Sequence, residues 1–249
     1  MNITDYKTFT DRFTYYFNNF NIEFTDVMMR EFYIFTEYLT TENTKYNLTA
    51  ITDLDNIIAK HYIDSIIILK YIDIPENSMI IDIGAGAGFP SVPLRIFRKD
   101  LDITFLDSSE KKINFIKNAL NELGLTNKNI FYSGRAEEAG KKSEYREKYD
   151  FAVSRAVAKL NVLCELAAPL IKQGGYFIAY KSKNTADEIK ESDNALNLLG
   201  LKITETIEFN ISPEINDKNN KRTLIKIKKL NKTSPKYPRN FSNITKNPL

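Results

Sequence analysis

From residue 79 onward, the chain alternates short apolar runs typical of strands with longer segments of helical periodicity. The strand-like runs are MIIDIG (79–84), DITFLD (102–107), NIFYSG (129–134), YDFAVSRA (149–156) and YFIAYK (176–181). The helical segments that follow them are 90–98, 109–124, 136–148, 159–175 and 186–200. Strands joined by helices pack into a parallel sheet with helices on both faces. The pattern therefore predicts an α/β, doubly wound fold.

Two further strand-like runs, KITETIEF (202–209) and KRTLIKIKK (221–229), follow each other without a helix between them. This pair predicts antiparallel strands at one edge of a mostly parallel, seven-stranded sheet. Residues 1–75 carry three amphipathic patterns, which predict an N-terminal helical lobe packed on the core. We assign residues 76–230 to the α/β domain. Residues 231–249 form a basic tail that lacks periodicity and is expected to dock loosely.

The charges are distributed unevenly along the chain. Residues 217–249 hold ten Lys or Arg and one acid, a net charge of +9, whereas the remainder, with 25 basic and 31 acidic residues, totals −6. A basic end on an acidic body favours contact with a polyanion. A solvated basic tail explains the same composition equally well, so composition leaves both interpretations open.

Composition also excludes several classes of protein. No run approaches the roughly 18 apolar residues that a membrane span needs, and the N-terminal residues lack the pattern of a signal peptide. The single cysteine excludes an internal disulfide and a Cys-rich metal site. We therefore expect a cytoplasmic protein that binds neither a membrane nor a metal. A monomer is a separate expectation that the composition does not decide.

The loop DIGAGAGFP (82–90) follows the first predicted strand of the sheet, where ligands bind in doubly wound folds. A dinucleotide fingerprint needs the spacing G-x-G-x-x-G. Here the glycines are Gly84, Gly86 and Gly88, and Phe89 stands where the third dinucleotide glycine belongs. The spacing disfavours a nicotinamide cofactor and instead resembles the first motif of S-adenosylmethionine-dependent methyltransferases.

Acidic residues near the same sheet edge suit that cofactor. Asp107 ends the second strand and is placed to accept both ribose hydroxyls, while Asp82 orients the loop or reaches the amino group of the cofactor. Ala136 and Glu137 follow the third strand, beside the expected adenine. Glu137 has a second explanation, because an acid in a first helical turn is favoured by the helix dipole.

The segment after the fourth strand reads SRAVAK and so differs from the Asn/Asp-Pro-Pro-aromatic turn of exocyclic-amine methyltransferases. Cys164 lies in an apolar helix, which indicates a core residue rather than a nucleophile. The acceptor is therefore predicted to be already nucleophilic, such as a ring nitrogen or sulfur. Arg155 and Lys181, at the ends of the fourth and fifth strands, are placed to hold it, although both could instead form structural ion pairs.

Several motifs occur in order: KYNLTAIT, KHYIDS, DIGAGAGFPSVPL, DSSEKKINFI, GRAEE, YDFAVSRAVAKL and KYPR. From about residue 45 to the end they closely resemble the bacterial small-subunit ribosomal RNA guanine-N7 methyltransferases, also called glucose-inhibited division protein B. The resemblance implies that 76–230 is a Rossmann-like methyltransferase domain. It further implies transfer of a methyl group from S-adenosylmethionine to N7 of a guanine in 16S ribosomal RNA or the small ribosomal subunit. The implied transfer is direct, with the ring nitrogen attacking the methyl group in line with the bond that breaks.

By this resemblance the cofactor contacts fall on Gly84, Phe89, Ala136, Glu137 and Arg155. We expect RNA contacts from three basic residues of the tail, Lys236, Arg239 and Lys246. The chain departs from the family pattern in three places. Ser91 and Ser182 stand where the family usually has glycine, and the tail segment NFSNITKN lacks the additional glycine and proline of the family.

His61 is the only histidine of the chain and lies three residues before Asp64 on one helix face, a spacing that permits a hydrogen bond within the helix. One interpretation is a packing histidine, and the other is a residue lining the acceptor side.

Two alternatives to an RNA methyltransferase remain open from the sequence. One is a small-molecule or protein methyltransferase, and the other is a factor that binds the cofactor without turnover.

Overall fold

The computed structural model describes residues 5–182, 185–212 and 220–249. Its centre is a seven-stranded sheet in the order β3-β2-β1-β4-β5-β7-β6. The strands are β1 (Met79–Ile83), β2 (Asp102–Asp107), β3 (Asn129–Ser133), β4 (Tyr149–Arg155), β5 (Ile171–Lys181), β6 (Leu201–Asn210) and β7 (Lys221–Lys229). The first five strands are parallel, and β7 runs antiparallel to both β5 and β6. The doubly wound sheet with an antiparallel pair at one edge is confirmed.

The helices of the described residues are listed in chain order, with a π-helical segment, Ile57–Ile63, between the third and the fourth. They are α1 (Tyr6–Asn19), α2 (Asp26–Tyr46), α3 (Leu54–Asn56), α4 (Asp64–Ile66), α5 (Ile68–Tyr71), α6 (Ser91–Phe97), α7 (Glu110–Glu122), α8 (Ala136–Ala139), α9 (Leu160–Ala167), α10 (Thr185–Glu191), α11 (Asp193–Leu199) and α12 (Phe241–Lys246). The helix predicted over 109–124 is confirmed as α7, whose Ile113, Ile116 and Leu120 are buried.

Two predicted helices end earlier than expected, and a third is divided in two. The segment 159–175 is helical only to Ala167, because Pro169 cannot donate a backbone hydrogen bond, and β5 already begins at Ile171, which pairs with Tyr149. The segment 136–148 is helical only as far as Ala139. The segment 186–200 divides at Ser192 into α10 and α11.

The N-terminal helices share their apolar core with the sheet. Phe13, Phe32 and Phe35 are fully buried and belong to one cluster with Ile80 and Phe105 of the first two strands. The segment 54–72, predicted as one helix, is interrupted by the π-helical turn, in which nearly every side chain is buried. A residue inserted by a π turn changes which side chains share a face, so His61 and Asp64 are turned toward β4.

The C-terminal tail is docked firmly, and the expectation of loose docking is wrong. Lys229 is fully buried and donates to Glu147, which also accepts the backbone N–H of Thr233. Further along, Arg239 forms an ion pair with Glu165 of α9, at 2.6 Å between Nη2 and Oε2. Polar anchors of this kind leave no hydrophobic period, which explains why the sequence pattern did not show the docking.

We predict that Arg239→Ala lowers the free energy of unfolding by about 3 kcal/mol, because the carboxylate of Glu165 stays buried without its charged partner. Urea denaturation followed by circular dichroism measures this loss. Lys246→Ala, which removes an exposed cation from the same tail, serves as the control and is expected to change stability by less than about 0.5 kcal/mol. Equal losses in the two variants would contradict the anchoring role of Arg239.

Candidate active site

A cleft of about 500 Å³ lies at the carboxyl edge of the sheet, above β1, β2, β3 and β4. The loops that follow these strands form most of its wall, as expected at the switch point of a doubly wound sheet. Its lining includes the glycine loop from Gly84 to Ala87, Phe89, Asp107, Gly134 to Glu137, and Arg155 to Val157. Leu48 and Thr49, in the loop after α2, and Phe241 from the tail also line it.

All three glycines of the loop after β1 have positive φ, at +76° for Gly84, +59° for Gly86 and +87° for Gly88. A Cβ on Gly84 would meet Val157, and one on Gly88 would meet Val92 at 2.5 Å. Gly86 differs, because a Cβ there would meet only the carbonyl oxygen of Gly84, at 3.8 Å, and the residue lines the cleft. Its missing side chain therefore leaves room for a ligand to approach the backbone.

Asp107 connects this loop to β2. Its Oδ2 accepts the N–H of Gly86 at 3.0 Å, and its Oδ1 accepts the N–H of Ser109 at 2.9 Å. A carboxylate offers about four acceptor positions, so both oxygens retain lone pairs for further donors. Asp107 also lines the cleft, and it can therefore accept two adjacent hydroxyls of a ribose while holding the glycine loop in place.

Asp82 is fully buried at the end of β1. Within the described residues, neither of its oxygens has a hydrogen-bond partner, and the hydroxyl of nearby Ser91 has none either. Burial raises the pKa of Asp82 to about 7, and the dipoles of the nearby hydroxyl and backbone N–H of Ser91, outside hydrogen-bond geometry, oppose part of that shift. Asp82 thus makes no hydrogen bond to the glycine loop within the described residues, and its role toward the loop or the cofactor stays a prediction.

Ala136 and Glu137 begin α8 directly after β3, and both are buried against the cleft. Glu137 occupies the first helical turn and also lines the cleft, and its contact with an adenine stays a prediction. Beside them, the guanidinium carbon of Arg135 lies 4.6 Å from the ring centroid of Phe241. The sequence prediction missed Phe241, whose one signal was the departure of the tail from the family pattern.

His61, Phe89 and Arg155 form one cluster at the inner end of the cleft. The imidazole of His61 stacks on the ring of Phe89, with centroids 4.2 Å apart and planes 13° apart. The guanidinium carbon of Arg155 lies 5.1 Å from the same ring centroid. Arg155 Nη1 donates to the carbonyl of Lys60 at 2.9 Å and to Asp64 at 3.0 Å. Asp64 thus accepts from Arg155, where the sequence had suggested a bond within the helix to His61.

The hydrogen bonds of His61 define its tautomer. Nη2 of Arg155 lies 3.3 Å from Nδ1, and Oγ1 of Thr49 lies 2.9 Å from Nε2. Because a guanidinium only donates, Nδ1 accepts, and the proton resides on Nε2, which donates to Thr49. Burial, aided by the charge of Arg155, lowers the pKa of His61 to about 3. His61 is therefore a neutral residue that both packs and lines the cleft.

A second cleft, of about 530 Å³, shares His61, Arg155, Ala156 and Val157 with the first. Ala156, where the two clefts meet, has a φ of +58°, which is strained for a residue with a Cβ. Residues with strained backbone conformations are found most often at functional sites. Four cations border the second cleft together with two acids. The cations are Lys60, Arg155, Lys181 and Arg222, and the acids are Asp64 and Glu188.

The ion pairs that the sequence left open are formed at both predicted positions. Lys181 Nζ lies 2.6 Å from Glu188 and donates to the carbonyl of Ala158, so it holds the loop after β4. Arg155 pairs with Asp64, and Arg222 Nε adds a second cation 3.7 Å from the other Asp64 oxygen. Lys60 and Arg222 were missed, because neither lies at the carboxyl end of a parallel strand.

The structure places the remaining predicted residues as follows. Cys164 is fully buried in α9, and burial raises its pKa to about 12, so it is a core residue. Lys236 lies over the ring of Tyr237, whereas Lys246 ends α12. Among residues 5–182, 185–212 and 220–249, no helix is long and apolar enough to cross a membrane, and no group of three metal-ligating side chains occurs.

The sheet order, the glycine loop and the acid at the end of β2 define the class of S-adenosylmethionine-dependent methyltransferases. The fold is shared with the YcgJ protein of Bacillus subtilis, at a TM-score of 0.52 and 13% identity over 69% of this chain and 100% of that one. It is also shared with geranyl diphosphate C-methyltransferase of Streptomyces coelicolor A3(2), at a TM-score of 0.51 and 10% identity over 67% of this chain and 78% of that one.

Within that class, the chain belongs to the family of ribosomal RNA small subunit methyltransferase G. The family model, described as GidB: rRNA small subunit methyltransferase G, matches residues 28–216. A relative of that name from Clostridium botulinum (strain ATCC 19397 / Type A) is 42% identical over 93% of this chain and 95% of its own length. Another, from Clostridium novyi (strain NT), is 42% identical over 98% of both chains.

The open space at Gly86 yields a prediction about cofactor binding. We expect Gly86→Ala to weaken S-adenosylmethionine binding about tenfold, because a methyl group at φ +59° enters the cleft where the backbone must approach the ligand. Isothermal titration calorimetry measures the affinity. Gly88→Ala is the matched comparison and is expected to lower the melting temperature more than Gly86→Ala, because its Cβ meets Val92 inside the fold. A reversed order of effects would contradict this geometry.

His61 yields a prediction about pH. Because it is the only histidine, one imidazole signal reports its protonation in an NMR titration. We expect that signal to keep the chemical shift of the neutral form from pH 7 to about pH 5, where an exposed histidine of pKa about 6.5 is almost fully protonated. A midpoint near 6.5 would contradict the buried, Arg155-bound imidazole.

The same shift affects stability. The folded pKa of about 3 lies below the ordinary value of 6.5, so the unfolded chain binds the proton first on acidification. The contribution of His61 is complete above pH 6.5 and is lost by about 1.4 kcal/mol per pH unit below it. Asp82 opposes this trend, since its raised pKa gives a contribution that is complete below 3.8 and is lost as the pH rises through 7. The free energy of unfolding is measured at each pH for the wild type and for His61→Gln. The difference between the two isolates the contribution of His61, because Asp82 contributes equally to both proteins.

Proposed function

We propose that this chain transfers a methyl group from S-adenosylmethionine to N7 of a guanine in 16S ribosomal RNA, as free RNA or within the small ribosomal subunit. The observation that supports this best is the pair of clefts with a common wall at His61, Arg155, Ala156 and Val157. The first cleft fits the cofactor, and the proposed binding residues that line it are Gly84, Gly86, Phe89, Asp107, Ala136, Glu137 and Arg155. Asp82 and Gly88, also predicted to bind the cofactor, do not line this cleft, so we assign them an indirect role behind its wall. The second cleft can receive the acceptor base beside the methyl group.

The chemistry of this junction suits an acceptor that needs no deprotonation. S-adenosylmethionine supplies an electrophilic methyl group on a sulfonium. The lone pair of guanine N7 forms the new carbon–nitrogen bond as the carbon–sulfur bond breaks, and no proton is removed. His61 is a poor base, because burial lowers its pKa to about 3, and the buried Cys164 cannot act as a nucleophile. The residues of the junction therefore act by positioning.

Arg155 is the proposed positioning residue for the base. Three of the five guanidinium N–H groups are used by Lys60, Asp64 and His61, and within the described residues Nε–H and one Nη2–H remain for a ligand. An arginine recognises guanine through O6 and N7. Donation to O6 alone leaves the N7 lone pair directed at the methyl group, and such alignment contributes up to about 7–11 kcal/mol to catalysis.

The cations around the second cleft suit the phosphates of an RNA strand. Lys60 and Arg222 border it directly, while Lys181 holds the loop after β4 through Ala158. We propose that Lys236 and Lys246 contribute further RNA contacts. Arg239 was also predicted to bind RNA. Its guanidinium is paired with Glu165, so the larger role that we assign to it is support of the tail.

We also propose that the protein works as a monomer in the cytoplasm.

The decisive experiment incubates the protein with methyl-labelled S-adenosylmethionine and either naked 16S RNA or small ribosomal subunits. We expect label at one guanine, mapped as alkali-labile N7-methylguanine. Arg155→Lys is expected to lower kcat about 100-fold, because a lysine cannot keep the hydrogen bonds to Asp64 and His61 while aligning the base. Arg30→Lys, an exposed arginine of α2, is the matched control. Absence of label in both RNA substrates would overturn the proposal.

A further inference from the structure

Phe241 is a large apolar residue that the structure leaves 41% exposed, although it lies in a concave site. It begins α12 and borders the cofactor cleft together with Gly134, Arg135 and Leu166. An aromatic ring exposed to a ligand cleft differs from one scattered on a convex surface, because a ligand can cover it. Neither the methyl-transfer chemistry nor the RNA contacts proposed above use this residue.

The backbone of Phe241 is held on both sides. Before it, Arg239 is bound by Glu165 of α9, and the side chain of Asn240 accepts the N–H of Asn243. After it, Ile244 is fully buried in the cluster that contains α9. The ring is therefore presented at a fixed place on the wall of the cleft, and little conformational entropy remains to be lost when a ligand covers it.

Arg135, which is itself exposed and lines the same cleft, contacts the ring of Phe241. Its guanidinium carbon lies 4.6 Å from the ring centroid, within the range of a cation–π contact. Arg135 directly precedes α8, so it connects the tail to the segment after β3. The exposed remainder of the ring borders the cleft.

The position of Phe241 matches one end of the cofactor. The glycine loop follows β1, Asp107 ends β2, and the segment 134–137 follows β3, so these groups lie in strand order along the cleft. With the ribose on Asp107 and the amino-acid part on the glycine loop, the purine is directed toward β3. That is the end of the cleft where Phe241 lies beside Arg135.

We infer that Phe241 is a cofactor-binding residue that packs against the adenine of S-adenosylmethionine, with Arg135 holding its ring in place. The inference rests on the cofactor and not on the proposed RNA acceptor. It assigns to the tail a role in donor binding that is independent of its positive charge. The contact uses only the π-face of a purine, so adenosine alone is expected to make it.

The test measures the binding of S-adenosylmethionine, S-adenosylhomocysteine and adenosine to the full chain by isothermal titration calorimetry. We expect Phe241→Ala to raise all three dissociation constants by the same factor, about tenfold, because base–aromatic stacking is lost. Phe241→Trp, which keeps a π-face, is expected to retain binding. Leu198→Ala is the matched control, since it removes another exposed apolar side chain, on α11, outside the cleft.

Three results would overturn the inference. One is an unchanged affinity for Phe241→Ala while the wild type binds S-adenosylmethionine normally. Another is a loss for S-adenosylmethionine that adenosine does not share, because the contact would then lie away from the base. The melting temperature of each ligand-free variant is measured in parallel, and weaker binding by both Ala and Trp variants in proportion to lost stability would also count against it. A wild type that binds no S-adenosylmethionine would overturn the cofactor assignment itself, whereas cofactor binding without RNA methylation would overturn only the proposed acceptor.

Discussion

The buried ion pair between Arg155 and Asp64 joins the carboxyl edge of the sheet to the N-terminal helices. Arg155 stands at the end of β4, and Asp64 follows the π-helical turn, with 3.0 Å between their charged atoms and little exposure of either side chain. Burial raises the pKa of Asp64, while Arg155 and Arg222 oppose that shift. Since a buried charge without its partner is costly, the two elements are stable only together, and the wall between the two clefts depends on their contact.

Phe89 extends this connection to the cofactor loop. It follows the three glycines, stacks on His61 and lies beneath the guanidinium of Arg155. The residue that excluded a dinucleotide fingerprint on spacing alone thus has a positive role, because its ring is the surface on which loop, helix and β4 meet. Ring packing and the hydrogen bond between His61 and Arg155 thus connect the two sides of the wall.

The periodicity of apolar residues and the positions of the glycines predicted those parts of the molecule whose structure depends on neighbouring residues in the sequence. The bounds of β2 and β7 match the apolar runs DITFLD and KRTLIKIKK, and the glycine loop and Asp107 were found from their places after strands. The π-helical turn was missed, since it breaks the 3.6-residue period only where tertiary packing compensates. Arg222 and Phe241 were missed because each reaches a cleft through an antiparallel strand or a docked tail, for which the sequence carries no spacing rule.

The order of the strands has a consequence for folding. β7 lies between β5 and β6 in space but follows both along the chain, so the sheet keeps an open slot until residues 221–229 arrive. The two clefts together draw on residues from Leu48 to Phe241, a sequence separation that makes closure entropically costly and slow. A nascent chain therefore holds the glycine loop long before it holds a complete site, and it can bind the donor fully only when nearly all of the described residues have folded.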